Sequence, residues 1–512
     1  MTSLTVQSPA YLLIPGYDYV GKGFDVFGEF NQTSLKQTLF MTITPSNQTY
    51  NLNNQSYVVP QNLGVMEIQQ KNGCSTVFSE KSDFSEFLSL QAGIEGSYLA
   101  FSGEFNASFG NISKGTSDYQ FGLYYLFTNG FAVELQQPTR DNLLPSVLND
   151  PDFQALPTTY TPENQSLFFR FFDKYGTHFI RSVEMGGRLF YSVAIEKSYN
   201  FTETEFTTNL TAEYNAALFD VKANAQADWN RVDQTWVNNR QVTINAVGGD
   251  DSILNVLKQP EPPQNFNDTY TQWLATLANQ PGPVNFTLMG VDAVFSGEQA
   301  DAVKTAIEVY CQRRIGLNAV GSDQIQATTG SITLNNQPLL QPDFQDDGLT
   351  VAIIDRVSLE PLFQETYKIG WRPGMENPNN PEYQDYQDYS DLMEDLQEFE
   401  GNANVIVAIV FWGQYSVWGY PTQAFYDFLC RCGAGDALLG DWTDNSTSFS
   451  DRACAYAITG VPGFAKGQAV ESYAALKPPG TYYYEGMVYP GLTLQVDLKP
   501  EYVEGQFMYT PT

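Results

Sequence analysis

The chain has 512 residues, 42% hydrophobic and 16% charged, which is enough for two or three domains with full cores. A formal net charge of −32 argues against nucleic acid, whose binding relies on Lys and Arg, and against first contact with anionic lipid by charge alone. A neutral receptor, glycan or protein, fits that charge, which also keeps monomers apart. No apolar run reaches the roughly 18 to 20 residues of a membrane-spanning helix. Met1-Thr2-Ser3-Leu4 lacks the basic start and apolar core of a leader, so the expectation is a chain that is mature or released by another route.

In chain order, Gly16 to Lys22 has the spacing of a phosphate-binding loop, but Gly23 stands where a Ser or Thr is needed to bind magnesium. Tyr98 to Phe109 alternates: Leu99, Phe101, Phe105 and Phe109 are apolar, against Ser102, Glu104, Asn106 and Ser108. Gly110 to Thr116 reads as a tip, and Tyr119, Phe121, Leu123, Tyr125 and Phe127 as a return. Thr161-Pro162 caps a helix carrying Phe168, Phe171, Phe172 and Tyr175, which Gly176 ends. Then come Thr177, His178, Phe179, six further residues and the pair Gly186-Gly187. His178 is the only histidine, so no histidine metal site forms, and its expected role is that of a hydrogen-bonded core residue.

Glu205 to Trp229 satisfies two periods. As a strand, Phe206, Leu210, Tyr214 and Leu218 oppose Glu205, Asn209 and Glu213. As a helix, the same four apolar residues recur every four positions behind the capping box Thr202-Glu203-Thr204-Glu205. A sequence that fits both periods suits a helix-to-strand switch. A strand at Val242 to Val247 closes on a second pair, Gly248-Gly249, and Glu298 to Arg314 reads as a helix.

The run Tyr175-Gly176-Thr177-His178-Phe179, a spacer of six, then Gly186-Gly187, resembles the signature of the membrane-attack-complex/perforin family. That resemblance implies an α+β fold: a bent, twisted central antiparallel sheet flanked by helical clusters. It implies no enzyme activity and no cofactor. It implies a soluble monomer that binds a target membrane through a glycan or protein receptor, self-associates into a ring and inserts two amphipathic β-hairpins per subunit. A second reading is a non-lytic member acting in cell-surface binding, adhesion or delivery. The glycine pair would lie where the sheet bends, so a β-branched residue at Gly187 is expected to harm assembly more than folding.

Residues 1–340 are assigned to this domain, and 341–512 to an all-β C-terminal targeting domain. The boundary is read from the polar, turn-rich stretch Asn335 to Gly348. Some bacterial members carry a three-sheet β-prism there, and that form is the expectation. Glu382 to Glu400 offers carboxylates to calcium but lacks an EF-hand pattern, so a solvated loop or helix is expected. Trp412, Tyr415, Trp418 and Tyr420 suit either a sugar-stacking surface or a β core. Cys430, Cys432 and Cys454 cluster closely enough for one disulfide. Sequons at Asn106, Asn111 and Asn209 fall inside the insertion segments, where a glycan would block insertion, so a bacterial, secreted origin is expected.

Overall fold

A computed structural model of the chain describes residues 12–42, 46–79, 81–94, 100–110, 119–218, 232–258, 266–311, 313–320, 329–335, 337–340, 348–367, 389–415, 422–436, 452–475, 491–503 and 506–512. Leu99 and most of the expected tip Gly110 to Thr116 lie outside these residues, as does the second segment beyond Leu218. The chain divides into two compact units. One comprises Met1–Gly110 with Phe121–Glu308, the other Asn111–Gln120 with Val309–Thr512.

The first unit is built on an antiparallel sheet. Its elements in order are β1 (Lys22–Phe24), β2 (Leu35–Thr38), β3 (Gln48–Leu52), β4 (Gln55–Val59), β5 (Leu63–Phe78), α1 (Lys81–Ala92), α2 (Ser102–Phe109) and β6 (Tyr119–Leu135). Next come α3 (Pro145–Leu148), α4 (Pro151–Gln154), α5 (Gln165–Tyr175), β7 (His178–Glu196), α6 (Glu203–Leu218), α7 (Gln234–Asn239) and β8 (Gln241–Val247). The run ends with α8 (Asp251–Leu257), α9 (Phe266–Thr276), β9 (Gly282–Gly290) and α10 (Glu298–Cys311). The strand order is β2-β1-β7-β6-β5, and β8 and β9 also pair with β7. Strand β7 is long enough to hold all of these partners. β9 runs along His178 to Gly186 and β8 along Arg188 to Ala194.

Both faces of this sheet are covered, and period-two alternation decides by what. Phe121 of β6 meets Phe105 and Phe109 of α2 at 5.2 and 5.0 Å between ring centroids. Tyr124 and Leu126 point the other way and join Leu189, Tyr191, Val193 and Ile195 of β7 under Phe206, Leu210 and Tyr214 of α6. Each fully buried Phe or Leu here contributes roughly 1.5–3 kcal/mol. The expected return residues Phe121 to Phe127 are thus already a strand of the central sheet. The candidates Phe101, Phe105, Phe109, Phe206, Leu210 and Tyr214 are all buried in this state. Leu218 ends α6.

The second unit holds two five-stranded antiparallel sheets. The first orders β12 (Gln337–Leu340), β11 (Thr329–Leu334), β10 (Arg314–Val320), β18 (Leu492–Val503) and β19 (Gln506–Pro511). The second orders β14 (Pro361–Tyr367), β13 (Gly348–Asp355), β15 (Val405–Tyr415), β16 (Arg452–Gly460) and β17 (Val470–Ala475). Helices α11 (Tyr389–Leu396) and α12 (Gln423–Arg431) pack Leu392, Leu396, Phe425, Phe428 and Leu429 onto Leu349, Val351, Ile353, Val407 and Ile409 of the second sheet. The unit is β-rich as expected, with these two helices added. Among the described residues it has two sheets, and the third sheet of a prism is not among them.

Three expectations change. The unit boundary falls near residue 309 rather than 340, because β10 pairs with β18 and carries β11 and β12 with it. The turn signal at Asn335 belongs to the β11–β12 hairpin, where Asn335 has φ 52°. Trp412 is 1% exposed and so offers no sugar-stacking face; Trp418 and Tyr420 lie outside the described residues. Cys430 and Cys432 are free thiols, so neither holds the expected disulfide.

Candidate functional site: the glycine crossing and the two helical excursions

The signature docks the α5 helix onto the sheet. Gly176 (φ 80°) stops the helix, and a Cβ there would meet the Phe24 backbone at 2.5 Å. His178 pairs with Phe24 of β1 and Gly290 of β9. Its Nδ1 lies 3.0 Å from Thr177 Oγ1. Burial holds the imidazole neutral down to about 4. Tyr175 donates to Asp150 at 2.9 Å, and Phe179 packs on Phe40 at 4.9 Å. These residues fix the geometry of the junction between α5 and the sheet. Among the described residues no group of three or more His, Cys, Asp and Glu is placed to hold a metal.

The two glycine pairs meet. At Gly186-Gly187 strand β7 exchanges partner β9 for β8. A Cβ on Gly248 (φ 85°) would lie 2.2 Å from the Gly186 carbonyl oxygen, so only glycine lets the backbones cross. Helix α9 covers this crossing. Trp273 Nε1 donates to the Gly248 carbonyl at 2.6 Å, and Trp273 is fully buried. A Cβ on Gly187 would meet Leu277 at 2.4 Å and Trp273 at 3.0 Å. Gly187→Val therefore carries a folding cost of its own, beside the larger effect on assembly expected from the sequence. The added methyls must displace Trp273 and Leu277, and overpacking of this kind costs about 1–3 kcal/mol. We expect Gly187→Val to lower the unfolding midpoint of the first unit, with the Trp273 emission shifted to the red; an unchanged midpoint would show that α9 yields freely.

The two helical clusters are excursions from paired strands. Phe78 of β5 faces Phe121 of β6 across the ladder, and α1 and α2 lie between them in sequence. Ala194 of β7 faces Gln241 of β8, with α6 and α7 between. The Phe127–Phe190 ring contact at 6.0 Å and the Arg181–Glu134 ion pair at 3.0 Å set β6 antiparallel to β7. Both excursions therefore leave the same end of the sheet.

Each excursion is held by one buried carboxylate. Glu104 of α2 accepts from Phe30 N–H at 2.9 Å and lies 3.9 Å from Arg188 Nη2, with both side chains 0% exposed. Burial, more than the attraction of Arg188 opposes, raises the Glu104 carboxyl above its usual range. Glu213 of α6 is better satisfied. It accepts from Tyr191 Oη at 2.8 Å, Trp236 Nε1 at 2.7 Å and Arg240 Nε at 2.6 Å. Phe101, at the entry to α2, sits at φ 62°, a strained conformation for a bulky side chain. These pairings escape a pattern search, which sees periodicity and not long-range partners. The available signal was a single glutamate among Phe101, Phe105 and Phe109.

The MAC/Perforin domain profile matches residues 13–315. Perforin-1 of Homo sapiens is 26% identical over 189 residues, 32% of this chain and 33% of that protein, so the match spans about a third of that relative's length. Among solved structures, GNIP1Aa from Chromobacterium piscinae aligns with 97% of this chain and 82% of its own at 14% identity, with a TM-score of 0.47. A putative cell invasion protein with a MAC/Perforin domain from Bacteroides thetaiotaomicron aligns over 64% and 70% at 11% identity, with a TM-score of 0.36.

Proposed function

The chain belongs to the MAC/Perforin family, and from that premise we propose that it is a pore-forming protein. In this reading it is released soluble, binds a neutral glycan or protein receptor on a target cell through its second unit, assembles into a ring and inserts two hairpins per subunit. It acts by binding and refolding, without catalysis or cofactor. The observation that carries the reading is the placement of both helical clusters as excursions from paired strands at one end of one sheet.

Lengths and energies support it. Each excursion supplies about 20 residues per arm, or roughly 65 Å when extended at about 3.3 Å per residue. A membrane strand needs only about 9 to 11 residues. Phe105, Phe109, Phe206, Leu210 and Tyr214 would leave an apolar core for apolar lipid, an exchange close to neutral. Release of Phe101 from its left-handed conformation favours the extended form. Backbone groups set the order of events. A hairpin inserted alone would carry unpaired edges into lipid, so closure of a ring must come first. Edges for that closure lie on the two sides of the sheet: among the described residues β5 pairs only with β6, and β8 only with β7. Pairing of one edge with the opposite edge of a second copy is head-to-tail, the kind of contact that yields a ring when the rotation between copies closes.

Two measurements test this together. Liposomes made from target-cell lipids should release trapped dye when the protein is added. An environment-sensitive dye on single cysteines from Phe206 to Tyr214, in a background without the native cysteines, should brighten at alternate positions. A period near 3.6 in a leaking sample rules out the strand. Binding without release supports the adhesion or delivery reading instead.

A further inference from the structure

Glu104 and Glu213 sit on their helices at 0% and 1% exposure. A buried ion pair seldom adds stability over well-packed apolar side chains of the same volume. The argument is strongest for Glu104. Its Oε1 has no hydrogen-bond partner among the described residues, and neither do Nε and Nη2 of Arg188. Its helix otherwise turns Phe105 and Phe109 inward. Apart from the Phe30 N–H and the buried Arg188, nothing in the packing of this state calls for a carboxylate at position 104.

The extended form of the same segments does. Along a strand successive side chains alternate faces. Glu104 then lies opposite Phe101, Phe105 and Phe109. Glu205 and Glu213 lie opposite Phe206, Leu210 and Tyr214. If the aromatic and leucine faces meet lipid, all three carboxylates face water. Residues 99–110 and 203–218 contain no Lys or Arg. Arg188 remains in β7, and Arg240 lies outside both segments, directly before β8, so the charges that neutralise Glu104 and Glu213 in the soluble form are left behind.

We propose that Glu104, Glu205 and Glu213 line the lumen of the inserted state and give it a preference for small cations over small anions. This rests on the hairpin-insertion reading above. Repeated around a ring, three carboxylates per subunit form bands of negative charge. Their reach is set by screening: roughly 30 Å at 0.01 M salt but only about 3 Å at 1 M. The preference is therefore a low-salt property of a wide pore.

The test is the reversal potential of protein-induced conductance across a planar bilayer of target-cell lipid under a KCl gradient. Near 0.01 M, the wild-type potential should have the cation-preferring sign, and it should fade toward zero near 1 M. Glu205→Gln should reduce it. Glu205 is exposed in the soluble form, and glutamine still closes the capping box with Thr202, so folding is spared. The triple variant Glu104→Gln, Glu205→Gln, Glu213→Gln should remove most of it. If the triple variant does not fold, the single variant at Glu205 decides. Wild-type conductance with no preference or an anion preference at low salt overturns the inference, and so does a potential unmoved by Glu205→Gln. Absence of any wild-type conductance overturns the pore reading itself, and this inference with it.

Discussion

His178 alone should cost the first unit about 3 kcal/mol of stability as the pH falls from about 7 to about 4, a contribution that His178→Gln removes. His178 is 6% exposed, and burial lowers its pKa from 6.5 to about 4. The sign follows from proton uptake. Below 6.5 the unfolded chain binds a proton that the folded chain refuses until about 4. Unfolding is favoured increasingly through that window and gains nothing more below it. No other histidine in the chain can contribute. The carboxyls of buried Glu104 and half-buried Glu184 and Asp292, raised above their usual range chiefly by desolvation, work in the opposite direction. The measurement is therefore a difference: denaturant midpoints of wild type and variant at matched pH. Equal slopes with pH would show that His178 does not carry the acid sensitivity.

Removing the guanidinium in Arg240→Ala should destabilise the first unit by about 3–5 kcal/mol, because it leaves Glu213 buried without its charge partner. Arg240 Nη2 is 2.5 Å from Glu213 Oε1, and Glu213 is 1% exposed. Tyr191 and Trp236 still donate to the carboxylate but carry no charge. The double change Glu213→Leu with Arg240→Met should recover part of the loss, since it removes the unpaired charge but leaves the buried Tyr191 hydroxyl and Trp236 Nε1 without their acceptor. Thermal unfolding with near-ultraviolet circular dichroism reads both, because Trp236 reports on the docking of α6. A double variant no better than the single would mean that Glu213 is held by its neutral donors and not by the ion pair.

What the sequence discloses is local. The helix from Gln165 to Tyr175, its entry at Thr161 and its stop at Gly176 follow from spacing and turn chemistry. So does α6, whose capping box is present: Thr202 N–H donates to Glu205 at 2.9 Å, and Glu205 N–H to Thr202 Oγ1 at 3.2 Å. The strand at Val405 to Trp412 was legible as an apolar run, but the reason for its continuity was not. One of its faces is covered by α11 and α12; α11 lies in the stretch expected as a solvated loop or helix, but it buries Leu392 and Leu396. The glycine pairs were legible as pairs. Their meeting under Trp273 depends on the strand order, which no periodicity encodes. The unit boundary was misread because a hairpin turn and a linker use the same polar residues.

The pairing of Phe78 with Phe121, and of Ala194 with Gln241, means that each excursion begins and ends at neighbouring points of a finished ladder. Its length is thereby uncoupled from the sheet. In the proposed inserted form, two added residues lengthen each arm by one, about 3.4 Å, with no change of register anywhere in β5, β6, β7 or β8. Loop closure hardly resists such drift, because doubling a loop adds only about 0.6 kcal/mol. Under the proposed insertion, reach into bilayers of different thickness is thus a quantity that insertions and deletions within these two stretches can adjust by themselves, while the sheet that holds them stays unaltered.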